Sequence, residues 1–278
     1  MTEIDLAAQA RITRHIAETI GARTAQVSAA VALLDEGATV PFIARYRKEV
    51  TGGLDDTQLR NLQELLIYGR ELEERRAAVI ASVEEQGKMT EELRQAFEAA
   101  DTKQRLEDLY LPYKPKRKTR AQAAVAAGLE PLADKLWKNP GLDPQAEAQA
   151  FVSADKGVAD TKAALDGARD ILAERFAENA DMLEMLRAWL WKHAFIVSSV
   201  DEAKKATPEA ANFRDYFDYS EALNEVASHR ALALFRGRQE GVLTLKMLLT
   251  EEEEALPVHP CQKLIADFLG WHDEGRAA

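Results

Sequence analysis

The sequence predicts a mainly α-helical protein. It is a multi-helix chain that opens on a helix-turn-helix-like unit, continues into one long helix and carries a few short strands in its last third. Three observations carry this. Apolar residues recur at three- and four-residue spacing with little interruption up to about residue 195, the period of one helix face. Glycines, prolines and capping residues punctuate that pattern where helices would stop and start. Only Phe195-Ile196-Val197 and the run Val242 to Met247 have strand character.

Ile4, Ala8, Ile12, Ile16 and Ile20 form the first apolar stripe, and Gly21 ends it. Thr24 is the expected N-cap of a second helix bearing Val27, Val31 and Leu34, with Gly37 after it. Thr39-Val40-Pro41 opens a short third helix, since proline suits a first helical turn. Its expected apolar side is Phe42, Ile43, Tyr46 and Val50, its polar side is Arg45, Arg47 and Lys48, and Thr51-Gly52-Gly53 follows. The long helix should span roughly Asp55 to Gln86, with Leu59, Leu62, Leu66, Leu72, Arg76, Val79 and Val83 in stripe register. Glu71, Glu73, Glu74, Arg75 and Arg76 give it a charged face, and Gly69 marks a kink or a close crossing. Thr90 caps a helix with Leu93, Ala96 and Phe97, and Asp101 to Gln104 reads as a capping box for another with Leu106 and Leu109.

Leu111 to Arg120 breaks the pattern, because Pro112 and Pro115 forbid regular helix. Short helices resume around Ala121 to Ala127 and Pro131 to Trp137, and Asn139-Pro140-Gly141 turns the chain. Asp160 and Asp181 are expected to start two further helices, and Ser228 to cap a third that carries Ala231, Leu232 and Phe235. Three segments result: a three-helix unit over residues 1–53, a long helix and helical framework over 54–195, and a mixed, mainly helical segment over 196–278. The last residues, Trp271 to Ala278, carry no stop signal, so further chain is expected beyond them.

The 278 residues are 46% hydrophobic and 30% charged, which excludes wholesale disorder. A net charge of -11 argues against a free-standing DNA-binding module, although screening within about 8 Å lets a local basic patch act alone. Cys261 is the one cysteine, which excludes an intrachain disulfide and fits a reducing cytoplasm. The histidines are scattered, so no metal is expected, and no cofactor-binding loop is present. No leader and no stretch of about 20 apolar residues is found, so no membrane is expected and the location should be cytoplasmic. No serine sits in a nucleophile elbow, and the carboxylates fall on polar helix faces, so no enzymatic activity is expected.

Two basic groups remain. Lys114, Lys116, Arg117, Lys118 and Arg120 crowd one proline-flanked loop, suited to phosphate contact through counterion release, with Tyr110 and Tyr113 beside them to stack on unpaired bases. The same loop equally suits pairing with acidic helix faces of its own chain. Arg45, Arg47 and Lys48 lie where a helix-turn-helix places its recognition helix, although three-helix units also serve as plain framework. Ser228-His229-Arg230, with Arg236 and Arg238, fits helix capping and packing better than catalysis.

Longer motifs resemble one family. Ala38-Thr39-Val40-Pro41-Phe42-Ile43-Ala44-Arg45-Tyr46-Arg47-Lys48-Glu49 with Thr51-Gly52-Gly53-Leu54-Asp55 is similar to the N-terminal signature of the bacterial Tex transcription accessory proteins. So are Leu106 to Arg117, Glu130-Pro131-Leu132-Ala133-Asp134, Phe213-Arg214-Asp215-Tyr216-Phe217 and the stretch from Ser228 to Gly237. The resemblance implies a longer protein that continues into a YqgF domain, helix-hairpin-helix elements and a C-terminal OB-fold RNA-binding domain. It implies a helical scaffold that supports nucleic-acid binding in transcription, with the distal domains as partners. The alternative is a platform that docks on RNA polymerase or another factor without touching nucleic acid.

Overall fold

A computed structural model describes residues 6–115 and 119–271. The chain divides into two compact units, Met1–Lys114 and Pro115–Ala278.

The first unit is helical. α1 (Leu6–Ile20) buries Ala8, Ile12 and Ile16 of the expected stripe together with Ala17, Ile20 is half-buried, and Ile4 lies outside the described residues. α2 (Thr24–Asp35) buries Val27, Ala30 and Val31. Its N-cap is Arg23 rather than Thr24: Arg23 is extended, and its backbone N–H donates to Gln26 Oε1 at 3.1 Å. α3 (Val40–Tyr46) begins with proline in its first turn, as expected. α4 (Asp56–Glu85) has Asp55 as N-cap, with the carboxylate accepting from Gln58 N at 2.8 Å, and Gln86 as C-cap. These bounds match the sequence reading to within a residue.

Leu59, Leu62 and Leu66 of α4 share one core with α1, α2 and α3, so residues 1–53 do not close a core of their own. Gly69 is the close crossing: a Cβ there would lie 3.1 Å from Ile12 Cγ2. The other half of α4 buries Leu72, Val79 and Val83 with Phe97 of α5 (Glu91–Ala99) and Leu106 and Tyr110 of α6 (Lys103–Tyr110). Thr90 caps α5 as expected, but α6 is capped by Thr102, whose hydroxyl accepts from Arg105 N at 3.1 Å; the box does not start at Asp101.

The charged face expected of α4 is not wholly solvated. Glu73 and Arg76 are buried. Arg76 donates to the carbonyls of Phe97, Glu98 and Ala100, thereby capping the end of α5, and its Nε reaches Glu73 Oε2 at 3.2 Å. Glu73 also receives both arms of Arg11, at 3.2 and 2.7 Å. Burial pushes the Glu73 carboxyl up, but the hydrogen bonds and charges of Arg11 and Arg76 together hold it below its ordinary value.

In the second unit α7 (Arg120–Ala126) is capped by Thr119, and α8 (Glu130–Lys138) and α9 (Pro144–Ala148) follow. All three pack against α10 (Thr161–Ala177), which Asp160 caps as expected. Asn179, not Asp181, caps α11 (Ala180–His193), its side-chain oxygen accepting from Met182 N at 3.0 Å. β1 (Phe195–Val200) is the centre of a three-stranded antiparallel sheet, flanked by β2 (Asp218–Ala222) and, after α12 (Ser228–Gln239), by β3 (Leu243–Leu248). Phe195 faces Ala222 on one side and Leu248 on the other. β2 was not expected from the sequence.

α12 starts at Ser228 with Ala227 as the extended cap residue, so the Ser228 hydroxyl makes no cap hydrogen bond. The helix faces the sheet through Leu234 and Gly237, leaving Leu232 72% and Phe235 55% exposed, the reverse of the expected face. Gly237 sets that direction, because a Cβ there would meet Leu243 Cδ1 at 2.5 Å. α13 (Glu251–Glu254) and α14 (Pro260–Leu269) complete the described chain, and α14 packs on α11. His259 caps α14, its Nδ1 accepting from Cys261 N at 3.2 Å.

Candidate nucleic-acid interface

α3 is where the expected basic residues meet a defined surface. Ile43 is fully buried and Val40 nearly so, and these two anchor the helix on α4. At about 100° per residue, Val40 and Ile43 span one side of the helix, and Tyr46, Phe42 and Arg45 follow in turn around the next. The expected apolar side therefore splits. Phe42 is 40% exposed and Tyr46 56%, and Val50, in the turn beyond, is exposed as well. A helix of two turns with one buried edge has no room to bury both rings beside Ile43.

The two rings lie 5.4 Å apart between centroids. The Arg47 guanidinium sits 5.3 Å from the Phe42 centroid, and Arg47 Nη1 donates to the Tyr46 carbonyl at 3.1 Å. Arg45 and Lys48 are exposed and make no ion pair among the described residues. Of the acids that flank α3 in sequence, Asp35 pairs with Arg70 at 2.8 Å, Asp56 pairs with Arg60 at 2.7 Å and Asp55 caps α4, while Glu36 and Glu49 are exposed.

The turn after α3 is held from within. Thr51 is fully buried, and its hydroxyl donates toward the Arg47 and Lys48 carbonyls at 3.4 and 3.3 Å. Gly53 N donates to the Lys48 carbonyl at 2.8 Å. Gln26 Nε2 reaches across from α2 to the carbonyls of Thr51 and Gly52, at 3.3 and 2.9 Å. Gly52 has φ +61°, and a Cβ there would press on Gln26 at 3.1 Å, so glycine is required on two counts. Arg45, Arg47 and Lys48 thus project from a braced support.

The second basic group is less defined. Lys114 is exposed, with Nζ 3.8 Å from Glu107, whose carboxyl is held low chiefly by its hydrogen bond to Arg75. Arg120 has an 88% exposed side chain, 3.8 Å from Asp170. Lys116, Arg117 and Lys118 lie outside the described residues. Tyr110 is not available for stacking: it is buried, its hydroxyl is 3.0 Å from Ser82 Oγ, and Arg75 lies over its ring at 5.5 Å. Tyr113 is half-buried against the same core.

Within the first unit the structure does not bring Lys114 to the α3 cations. α3 packs on the leucines early in α4, whereas the Tyr113 carbonyl is bound by Gln86 at the far end. At about 1.5 Å per residue those points are roughly 30 Å apart. His229 is exposed, and Arg230 pairs with Glu221, which also accepts from the Tyr219 hydroxyl. Arg236 pairs with Glu240 at 2.8 Å. Among the described residues no group of three or more His, Cys, Asp or Glu is placed to hold a metal, and no helix is long and apolar enough to cross a membrane.

Comparison with known proteins places these features in one lineage. Residues 10–84 match the Tex-like protein N-terminal domain, and residues 139–278 match the Tex central region-like family. Protein tex of Bordetella pertussis is 57% identical over 260 residues, which is 94% of this chain and 33% of that protein. Transcriptional accessory protein Tex of Neisseria gonorrhoeae is 56% identical over 236 residues, 85% of this chain and 31% of that protein. The human S1 RNA-binding domain-containing protein 1 is 32% identical over 227 residues, 80% of this chain and 22% of that protein. The chain therefore spans about a third of the bacterial relatives' length. With two family models matched in order along a mainly helical chain, it belongs to the Tex family of transcription-related proteins.

Proposed function

We propose that this chain is the N-terminal helical scaffold of a bacterial transcription accessory protein, and that it supports nucleic-acid binding by adding phosphate contacts of its own. The observation that carries this is the braced turn after α3, with Arg45, Arg47 and Lys48 exposed and, among the described residues, Arg45 and Lys48 free of ion pairs, in a chain of net charge -11. Free cations held on a rigid support gain affinity by counterion release without first breaking internal salt bridges. Lys114, Lys116, Arg117, Lys118 and Arg120 form a second, weaker contact in the same reading. The role is binding rather than catalysis, in the cytoplasm. The name of the human relative, which cites RNA binding, adds support for RNA as the polymer.

The test is electrophoretic mobility shift at two salt concentrations, with the parent chain and with two triple alanine variants. One removes Arg45, Arg47 and Lys48, the other Lys116, Arg117 and Lys118. Binding to phosphates should weaken steeply with salt, by about 0.7 to 0.9 log unit per log unit of salt for each contact. The first variant should lose more than the second. A parent that shifts no polynucleotide at low salt overturns the proposal.

A second reading, docking on RNA polymerase or another factor, draws on the exposed Leu232 and Phe235 of α12, beside Arg236 and Arg238. Purified polymerase retained by the parent chain and released by Leu232→Ser with Phe235→Ser would favour it.

A further inference from the structure

We propose that Phe42 and Tyr46 form a stacking platform for unpaired bases, so that the α3 surface takes single-stranded polynucleotide in preference to duplex. This deepens the nucleic-acid reading above and rests on it. The sequence alone assigned both rings to the core, and the structure returns them to the surface, 5.4 Å apart, beside three cations. Exposed aromatic rings next to lysine and arginine are the combination that single strands use, since every base offers a π face and every phosphate a charge.

The geometry disfavours the duplex. A recognition helix reads a major groove with donors and acceptors along an extended face. α3 has only 7 residues, and its exposed side is led by two rings rather than by amides or hydroxyls. Its C-terminal end runs directly into the turn braced by Thr51 and Gln26, which leaves no further helix to lie along a groove. The rings are also preorganised. Arg47 covers one side of Phe42 while it is hydrogen-bonded to the Tyr46 carbonyl, so the more exposed Tyr46 ring offers the freer stacking face. Lys48 and Arg45 then take phosphates on either side.

The experiment is fluorescence anisotropy on the parent chain with labelled strands of about twelve nucleotides, a length that fits a single site. Oligo-U, oligo-dT and a mixed-sequence duplex of the same length are compared at low and moderate salt. Both single strands should bind more tightly than the duplex, and the ratio of oligo-U to oligo-dT tells RNA from DNA. Phe42→Ala and Tyr46→Ala should each weaken single-strand binding about fivefold or more, the low end of what one stacked base contributes. Their salt dependence should stay that of the parent, because no phosphate contact is lost. Lys48→Ala should do the opposite, lowering the salt slope by about 0.7. Tyr46→Phe should bind like the parent, which separates stacking from hydrogen bonding. Both rings are exposed, and far-ultraviolet circular dichroism verifies that the variants fold. Duplex bound as tightly as single strand, or ring variants that bind like the parent, overturns the platform while leaving phosphate binding intact. A parent that binds none of the three overturns the broader reading with it.

Discussion

Arg76 is the side chain on which the second half of α4 depends, and replacing it by methionine makes the dependence measurable. Methionine keeps the aliphatic stem in the core but removes the donors to the Phe97, Glu98 and Ala100 carbonyls and the link to Glu73. Removing one partner of a buried pair costs about 3 to 5 kcal/mol. Glu73 keeps both arms of Arg11, so the lower end applies, about 3 kcal/mol. With a urea slope of roughly 1 to 3 kcal/mol per molar, the unfolding midpoint of the first unit should fall by about 1 to 3 M. The four tryptophans, Trp137, Trp189, Trp191 and Trp271, all lie in the second unit. Circular dichroism should therefore show an early transition in Arg76→Met that tryptophan fluorescence does not share. Arg76→Lys, which keeps charge but loses the planar fork, should fall between the two. An ellipticity midpoint unchanged in Arg76→Met would refute the capping of α5 by this guanidinium.

Other perturbations read other parts of the molecule. Leu66→Ala should destabilise the first unit by about 2 to 5 kcal/mol through lost burial and a cavity, and an unmoved ellipticity transition would contradict its place in the core. Glu73 is held below its ordinary value of 4.5, so its stabilising effect is complete above that pH and is lost as pH falls beneath it. Acid unfolding of the first unit should accordingly flatten in Glu73→Gln, and identical acid profiles would count against it. Gly167→Ala would place a Cβ 2.4 Å from Leu129 Cδ1 and 3.2 Å from Ala124 Cβ, so about 1 to 3 kcal/mol should be lost in the second unit. Tryptophan fluorescence reports that loss through Trp137, whose ring packs 4.9 Å from Phe176 of α10.

What the sequence made legible is what local chemistry decides. α4 could be bounded from Asp55 to Gln86 because its cap, its stripe and the Gly87 stop all lie within the helix or next to it. The caps at Thr90 and Asp160 were legible for the same reason. Where two capping residues competed a residue or two apart, pattern could not choose: Thr102 prevailed over Asp101 and Asn179 over Asp181 through side-chain bonds visible only in three dimensions. β2 was hidden because Asp218 to Ala222 has little apolar alternation. It is an edge strand, held by the ladder that β1 offers and by Glu221, which binds Tyr219 and Arg230.

The candidate site was half legible for a related reason. Clustered Arg45, Arg47 and Lys48 stand out in an acidic chain without any fold, and so do the cations of the 114–120 loop. The rings do not, because helical periodicity gives the angle between side chains but not the width of the sector that a neighbour covers. For a long helix such as α4 the stripe repeats often enough to fix its own centre. For α3, with 7 residues, Ile43 and Val40 are the buried residues in the core with the leucines of α4, and one residue of angular shift decides whether Phe42 is core or surface. Gly237 does the same for α12, turning Leu232 and Phe235 outward by letting Leu243 approach the helix backbone. In both helices two large side chains that a one-dimensional pattern assigns to the core are exposed by the fold. At α3 they stand beside Arg45 and Lys48, neither of them ion-paired among the described residues, and at α12 beside Arg236, which is paired with Glu240, and the exposed Arg238. The braced turn, together with two cations free of ion pairs against one at α12, is what favours α3 as the face for a polyanion.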